Sequence, residues 1–250
     1  MNQLRLDEVN TYANTNIVDF HQRRINSLES LRLDKLLRKN PYLFRAKNIT
    51  TAGDLMNGLL DAFLSSSEEK LFGDFLEDLA IFIAGQTCNG HKSTAPGVDL
   101  EFENRGIYYI VSVKSGTSWG NSSQVSKLAE DLQKAVIRVR QSQHGANTQP
   151  VLGICYGKTR TSYLRGYLKV VGQNFWYLIS ENKSLYTDII EPVGYRAKEH
   201  NDAFGREKAR VVNRFTKEFI DRFCDDTGAI DWVKLVEFNS GNYDLNRFLD

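Results

Sequence analysis

Between residues 98 and 116 the chain leaves little choice of local structure. Val98, Leu100 and Phe102 alternate with Asp99, Glu101 and Glu103, and a period of two is the mark of a strand, here with one acidic face. Asn104-Arg105-Gly106 is a turn signal. Ile107–Lys114, rich in β-branched and aromatic residues, reads as a second strand closed by Ser115-Gly116. Together they predict an antiparallel hairpin. Side chains alternate across a strand, so Tyr108, Ile110, Ser112 and Lys114 share one face. A two-residue loop at Arg105-Gly106 sets Asp99 opposite Ser112. Arginine is a poor occupant of a primed turn, so a longer loop or a bulge would shift this by one residue. Either register brings Asp99 and Lys114 to one edge of the sheet.

The flanks have helical period. Val18–Leu37 carries apolar residues at helical spacing, with Asn40-Pro41 as its stop. Asp54–Leu64 reads as a short amphipathic helix ended by Ser65-Ser66-Ser67. Ser66 and Glu69 have capping-box spacing for a new helix to about Ala84, with Phe72, Phe75, Leu76, Leu79 and Ile83 as its buried stripe. After the hairpin, Val125, Leu128, Leu132, Ala135, Val136 and Val139 mark a helix over Ser122–Ser142. Val151–Tyr156 and Tyr163–Val171 read as strands, and beyond Phe175 the pattern returns to helix, ending in the acidic tail Asp221–Asp250. Helix, hairpin, helix, strand, strand predicts an α/β (α+β) chain with a mixed sheet flanked by helices. The expected organisation is a helical extension over 1–64, a core over 65–180 and a helical region over 181–250.

Composition removes several alternatives. The three cysteines, Cys88, Cys155 and Cys224, have no C-x-x-C spacing, and the four histidines form no ligand pattern. A disulfide framework and zinc chemistry are therefore disfavoured. No apolar run is long enough to cross a membrane, and Met1–Asn10 lacks the apolar core of a signal peptide, so the cytoplasm is the expected location. The formal net charge is +1, but it is uneven: Arg196–Lys217 holds seven basic residues against three acidic. That run is either a solvated helix face or an arm that contacts phosphates.

A carboxylate beside a lysine suits phosphodiester hydrolysis. The carboxylate, with a main-chain carbonyl and another acid, binds a hard divalent ion. The ion polarises the phosphate and lowers the pKa of a bound water. The lysine orients or deprotonates that water and stabilises the growing negative charge. The same pair also describes an ordinary surface ion pair.

Its surroundings narrow the reading. Gly97-Val98-Asp99-Leu100-Glu101-Phe102, then Ile110-Val111-Ser112-Val113-Lys114-Ser115-Gly116, resembles the PD-(D/E)XK nuclease signature. Thr117-Ser118-Trp119-Gly120-Asn121-Ser122-Ser123-Gln124, leading into a helix, resembles the type II restriction endonucleases. Val170–Trp176 and Thr227–Trp232 are similar to that group too, and within it to enzymes that cut a GG-N-CC type of site. The likeness runs loosely from Glu68 to Glu237. It implies a central mixed sheet flanked by helices and Mg²⁺-dependent cleavage of double-stranded DNA at a short palindrome, leaving a 5′-phosphate in a restriction-modification setting. A homodimer matches the symmetry of such a site. Asp99 and Lys114 take the catalytic positions, with Asp99 and the Val113 carbonyl on the metal.

One position departs from the signature. Two residues before the lysine, where the family has Asp or Glu, this chain has Ser112. A second acid must come from elsewhere or the site is crippled. Glu101 lies along the same strand, and Glu77 lies on the preceding helix. Glu77 is preferred, as a catalytic and metal-binding acid, because Gly73 one turn before it suggests close backbone approach. Trp119, Asn121 and Gln124 are candidate DNA contacts, with core packing as the plainer reading for Trp119 and Ser122 or Ser123 as plain helix caps. Lys158 and Arg160 are phosphate contacts or surface charges. Three rivals stay open: a repair or mobile-element nuclease of the same superfamily, an inactive DNA-binding module, and an unrelated α/β protein.

Overall fold

A computed structural model of the chain describes residues 1–164, 166–241 and 243–248. Arg165, inside the expected strand stretch Tyr163–Val171, and Asn242, Leu249 and Asp250 of the acidic tail lie outside the described residues. The elements run α1 (Leu6–Glu29), α2 (Leu33–Leu36), α3 (Pro41–Ala46), α4 (Ala52–Cys88), β1 (His91–Lys92), β2 (Leu100–Asn104), β3 (Ile107–Lys114), α5 (Ser122–Ser142), β4 (Thr148–Ile154), β5 (Ser162–Leu164), β6 (Tyr167–Val171), α6 (Gln173–Ser180), α7 (Leu185–Asp188), α8 (Ile190–Val193), α9 (Ala197–Phe223) and α10 (Trp232–Asn239). The chain forms two compact units, Met1–Phe20 with Lys70–Arg196, and His21–Glu69 with Ala197–Asp250.

The first unit holds a sheet of six strands among the described residues, in the order β1-β2-β3-β4-β6-β5. Its centre, β3-β4-β6, is parallel, while β1, β2 and β5 pair antiparallel at the edges. This is the mixed sheet flanked by helices that the order of patterns predicts. Alternation then sorts the side chains. Val111, Val113 and Val151 face a core built with Phe75, Leu76, Leu79 and Ile83 of α4 and Phe175 and Trp176 of α6. Ile110, Leu152 and Ile154 face Leu128, Leu132, Ala135 and Val136 of α5. Val98 breaks the alternation read from the sequence: it packs on the α5 side, whereas Leu100 and Phe102 pack on the α4 side.

In the second unit, Val211, Phe215, Phe219 and Phe223 of α9 form a buried stripe with Leu28, Leu33, Leu36, Leu55, Met56 and Leu60. Much of the basic run on α9 is engaged locally, Lys208 with Asp61, Arg210 with Glu207, and Arg214 over the Phe215 ring.

Two helix boundaries differ from expectation. The first helix spans Leu6–Glu29 rather than Val18–Leu37, and Asn40-Pro41 starts a helix instead of ending one: the Asn40 side chain accepts from Tyr42 N–H at 3.0 Å, with proline in the first turn. Ser65-Ser66-Ser67 does not interrupt α4. Ser66 Oγ donates back to the Ala62 carbonyl at 3.3 Å, so the serine is satisfied inside the helix and no capping box forms with Glu69. Buried Leu64 and Phe75 continue the apolar contacts on either side of the serines.

Candidate active site

The hairpin closes through the two residues Arg105 and Gly106, both with positive φ (53° and 72°), so the arginine does occupy a left-handed turn position. Leu100 pairs with Val111. The ladder stops there: Asp99 N–H donates at 2.9 Å to the carbonyl of Val111, the residue that already pairs with Leu100, so Asp99 does not continue the register opposite Ser112 and the strand shifts at this point as at a bulge. Asp99 Oδ2 then accepts from three consecutive residues of β3: Val113 N–H at 2.6 Å, Ser112 Oγ at 3.1 Å and Lys114 Nζ at 3.4 Å. Lys114 Nζ also donates to the Val113 carbonyl at 2.7 Å. The sequence-predicted trio of Asp99, Val113 and Lys114 is thus brought together, with Ser112 as a buried hydroxyl that holds the carboxylate in place.

Glu77 approaches from α4. Gly73, one turn earlier, lies against Ser115, where an added Cβ would sit 3.6 Å from Ser115 Oγ. That is ordinary contact, so the glycine marks proximity without being sterically required. Burial, and next the Asp99 carboxylate, push Glu77 above the usual carboxylate range. Lys92 Nζ, 3.3 Å from Glu77 Oε1 and 3.6 Å from Asp78 Oδ1, works against that rise. Two carboxylates therefore sense each other across the end of the hairpin, and each has a lysine beside it.

Glu101 is committed elsewhere. It is only 3% exposed and accepts from Ser93, from Arg138 of α5 and from Tyr108 Oη at 2.8 Å. Burial opposes its charge, but these hydrogen bonds hold its carboxyl below the usual range. Every oxygen is occupied by protein donors, as expected for a structural buried acid.

A cleft of about 430 Å³ opens beside Lys114 and Ser112, with Trp119, Gln124, Lys127 and Asp131 among its walls. Trp119 is half-buried and also packs against the α5-side core. Asn121 caps α5: its Oδ1 accepts from Gln124 N–H at 3.1 Å, and Gln124 Oε1 accepts from Asn121 N–H at 2.9 Å. The cap is thus Asn121 rather than Ser122 or Ser123. Both amide oxygens are taken, so bidentate pairing with adenine, which needs oxygen and nitrogen together, would require opening the capping box.

Two site neighbours escaped the sequence reading. Lys92 sits on a two-residue strand too short to carry a period. Asp131 is buried in the apolar stripe of α5 with its Oδ1 held by Lys127 at 2.6 Å. An acid at a core-facing helical position was the available signal for it.

The donors at the site are all oxygen: the Asp99 and Glu77 carboxylates and the Val113 carbonyl. Such a set suits a small hard cation such as Mg²⁺ rather than zinc. The rise of Glu77 through burial and the nearby Asp99 carboxylate, with lysines as the present counter-ions, marks a place where positive charge is favoured. No group of three or more histidine, cysteine or acidic residues suited to a metal occurs among the described residues, so a bound ion would complete its shell with water and substrate oxygen.

A mixed sheet with a parallel centre, flanked by helices and carrying an Asp–Lys pair at the end of a hairpin, defines a protein of the restriction-endonuclease-like fold class. Residues 7–201 match the family of the type II restriction endonuclease EcoO109I, and the chain belongs to that family. No curated protein is significantly similar to it. No helix among the described residues is long and apolar enough to cross a membrane.

Proposed function

We propose that this restriction endonuclease is a Mg²⁺-dependent PD-(D/E)XK enzyme that hydrolyses double-stranded DNA at a short palindrome of the GG-N-CC type, acting as a homodimer. The observation that carries the reading is the Asp99 carboxylate, held by Val113 N–H and Ser112 while Lys114 lies between it and the Val113 carbonyl. The GG-N-CC type of site rests on the likeness of the segments around Trp119, Asn174 and Ile230.

In this reading Asp99, Glu77 and the Val113 carbonyl would hold a Mg²⁺ ion, which would supply Lewis-acid polarisation of the phosphate and a more acidic water. Lys114 positions the attacking water and stabilises negative charge as it grows on the phosphate. Releasing Lys114 from the Val113 carbonyl frees both groups for these tasks. Trp119 and Gln124 line the approach to Lys114 and contact the DNA. Asn121 contacts it through the amide nitrogen that its capping role leaves free.

Incubating the full chain with plasmid and phage DNA, with and without Mg²⁺, tests the reading. Discrete fragments that need the ion are expected. The serine in place of the signature acid favours one alternative, an inactive DNA-binding module; intact DNA with a mobility shift would establish it and overturn the proposal. Cutting that follows DNA structure rather than sequence would move the chain to the repair class.

A further inference from the structure

Three loops meet at the C-terminal ends of the parallel strands. Cys155 N–H donates to the Lys114 carbonyl at 2.9 Å and Tyr156 N–H to the Ser115 carbonyl at 3.0 Å, so the segment after β4 runs directly beside the segment after Lys114. Glycines allow the close approach. A Cβ on Gly116 would lie 2.8 Å from the Tyr156 ring, and one on Gly157, whose φ is +147°, would lie 2.4 Å from Thr117 Cγ2. Thr161 Oγ1 ties the far side, accepting from Asn174 Nδ2 at 3.2 Å and from Val171 N–H at 3.3 Å.

Between these loops lies a cleft of about 830 Å³. Lys158 and Arg160 stand on its wall, with Tyr156 and Tyr186 as exposed aromatic flanks, 61% and 42% accessible. None of its described lining residues is acidic. Elsewhere in this unit the basic side chains near the site are neutralised: Lys114 by Asp99, Lys92 by Glu77, Lys127 by Asp131 and Arg138 by Glu101. Lys158 and Arg160 form no ion pair among the described residues. In a chain of net charge +1, two uncompensated cations in an acid-free cleft are a local surplus that a polyanion would neutralise.

We infer that this cleft is a backbone-tracking site, in which Lys158 and Arg160 hold phosphates of the same DNA strand beside the one at Lys114. The inference rests on the nuclease reading and adds a binding surface to it. The spacing suits the role. Ile154 pairs with Lys114, neighbouring strands are roughly 4.8 Å apart, and a DNA strand presents a phosphate about every 3.4 Å of helix axis. A strand whose phosphate lies at Lys114 therefore has neighbouring phosphates on the side of the adjacent loop, which carries Lys158 and Arg160. Contacts of this type position the duplex and carry no sequence information.

The test is fluorescence anisotropy of the full chain on labelled duplexes in EDTA, from 50 to 200 mM salt. One duplex contains the site mapped by the digestion above and one is scrambled. Each phosphate contact contributes about 0.9 to the slope of log K against log salt. The double variant Lys158→Ala with Arg160→Ala should lower that slope by roughly 2 and weaken both duplexes by the same factor, about tenfold or more. Its melting temperature should match the parent, since neither side chain is buried or paired. A charge-matched variant on α9, Lys198→Ala with Lys217→Ala, should leave the slope unchanged. An unchanged slope in the cleft variant of a parent that binds and cuts DNA overturns the cleft assignment alone. A slope that moves in the α9 variant instead assigns the tracking role to the basic run and likewise overturns it. A parent that neither binds nor cuts DNA removes the nuclease reading, and this inference with it.

Discussion

Replacing Lys114 by alanine separates chemistry from architecture, and the structure sets the expected size of each effect. The ammonium lies 3.4 Å from Asp99 Oδ2. Coulomb's law gives a charge pair at that distance about 1 kcal/mol in water and about 5 kcal/mol at an effective dielectric constant near 20. The side chains are 31% and 19% exposed, between those limits. In the folded protein without substrate little of this is lost, because Asp99 keeps Val113 N–H and Ser112 Oγ as donors. The stability cost should be near 1 kcal/mol, a fall of about 2–4 °C in melting temperature for a chain of this size. In the transition state the same cation faces newly formed phosphate charge, and losing about 3–5 kcal/mol there slows cleavage by about 10²–10⁴. The assay is single-turnover cleavage of a mapped duplex, with binding followed separately in EDTA. Lys114→Ala should bind within a few-fold of the parent while cutting at least a hundredfold more slowly. Cleavage within tenfold of the parent would refute the assigned role, and so would equal losses of binding and cutting.

Further predictions follow from neighbouring features. Glu77→Gln should raise the Mg²⁺ concentration for half-maximal cutting by about tenfold or more and leave the metal-free melting temperature nearly unchanged; Glu101→Gln should do the reverse, since an amide nitrogen in place of one accepting oxygen of the buried carboxylate loses a hydrogen bond to it, at a cost of about 1–3 kcal/mol. Comparing Mg²⁺ titrations with thermal melts decides between them. Gly153→Ala would bring a methyl to 2.3 Å from the fully buried Phe175 ring. A melting temperature lowered by roughly 3–10 °C and restored in part by Phe175→Leu is expected. His21 stacks on His200 at 4.4 Å, and burial, then His200, lower its pKa from 6.5 to about 4. The folded state thus prefers the neutral ring, so stability is full above pH 6.5 and declines as pH falls toward 4, by roughly 1–3 kcal/mol. Urea midpoints measured across that window should flatten in His21→Gln.

Strongly periodic segments were legible in the sequence and context-dependent ones were not. Ile107–Lys114 and Ser122–Ser142 have the bounds their patterns predict, the strand because its β-branched and aromatic run is buried on both faces, the helix because it repeats its period with one face buried. The two-residue loop at Arg105-Gly106 was legible, and so was the convergence of Asp99 with Lys114, but the shift at Asp99, whose N–H goes to the partner of Leu100, was left open by the pattern. Ser65–Ser67 misled because a serine in a helix can return its hydroxyl to the preceding turn, and only packing on both sides decides whether it does. The fate of Glu101 was invisible because Arg138, which neutralises it, is 37 positions away. Asn121 shows a related limit: the residue type that reads adenine is also the one that caps helices.

The two-residue turn at Arg105-Gly106 has a consequence for the order of folding. Hairpins with such short loops close in about 1–10 μs, and this one carries Asp99 and Lys114 on its two arms. The parallel partner of β3 is β4, which can pair only after the chain has passed through all of α5. Loop-closure entropy makes such long-range pairing the slower event. The Asp–Lys pair therefore forms with the earliest local structure, whereas the acid from α4 and the cleft beyond β4 arrive with the late, cooperative step. Pulse-labelling hydrogen exchange during refolding should protect the amides of Tyr109 and Val111 before those of Val151 and Ile154.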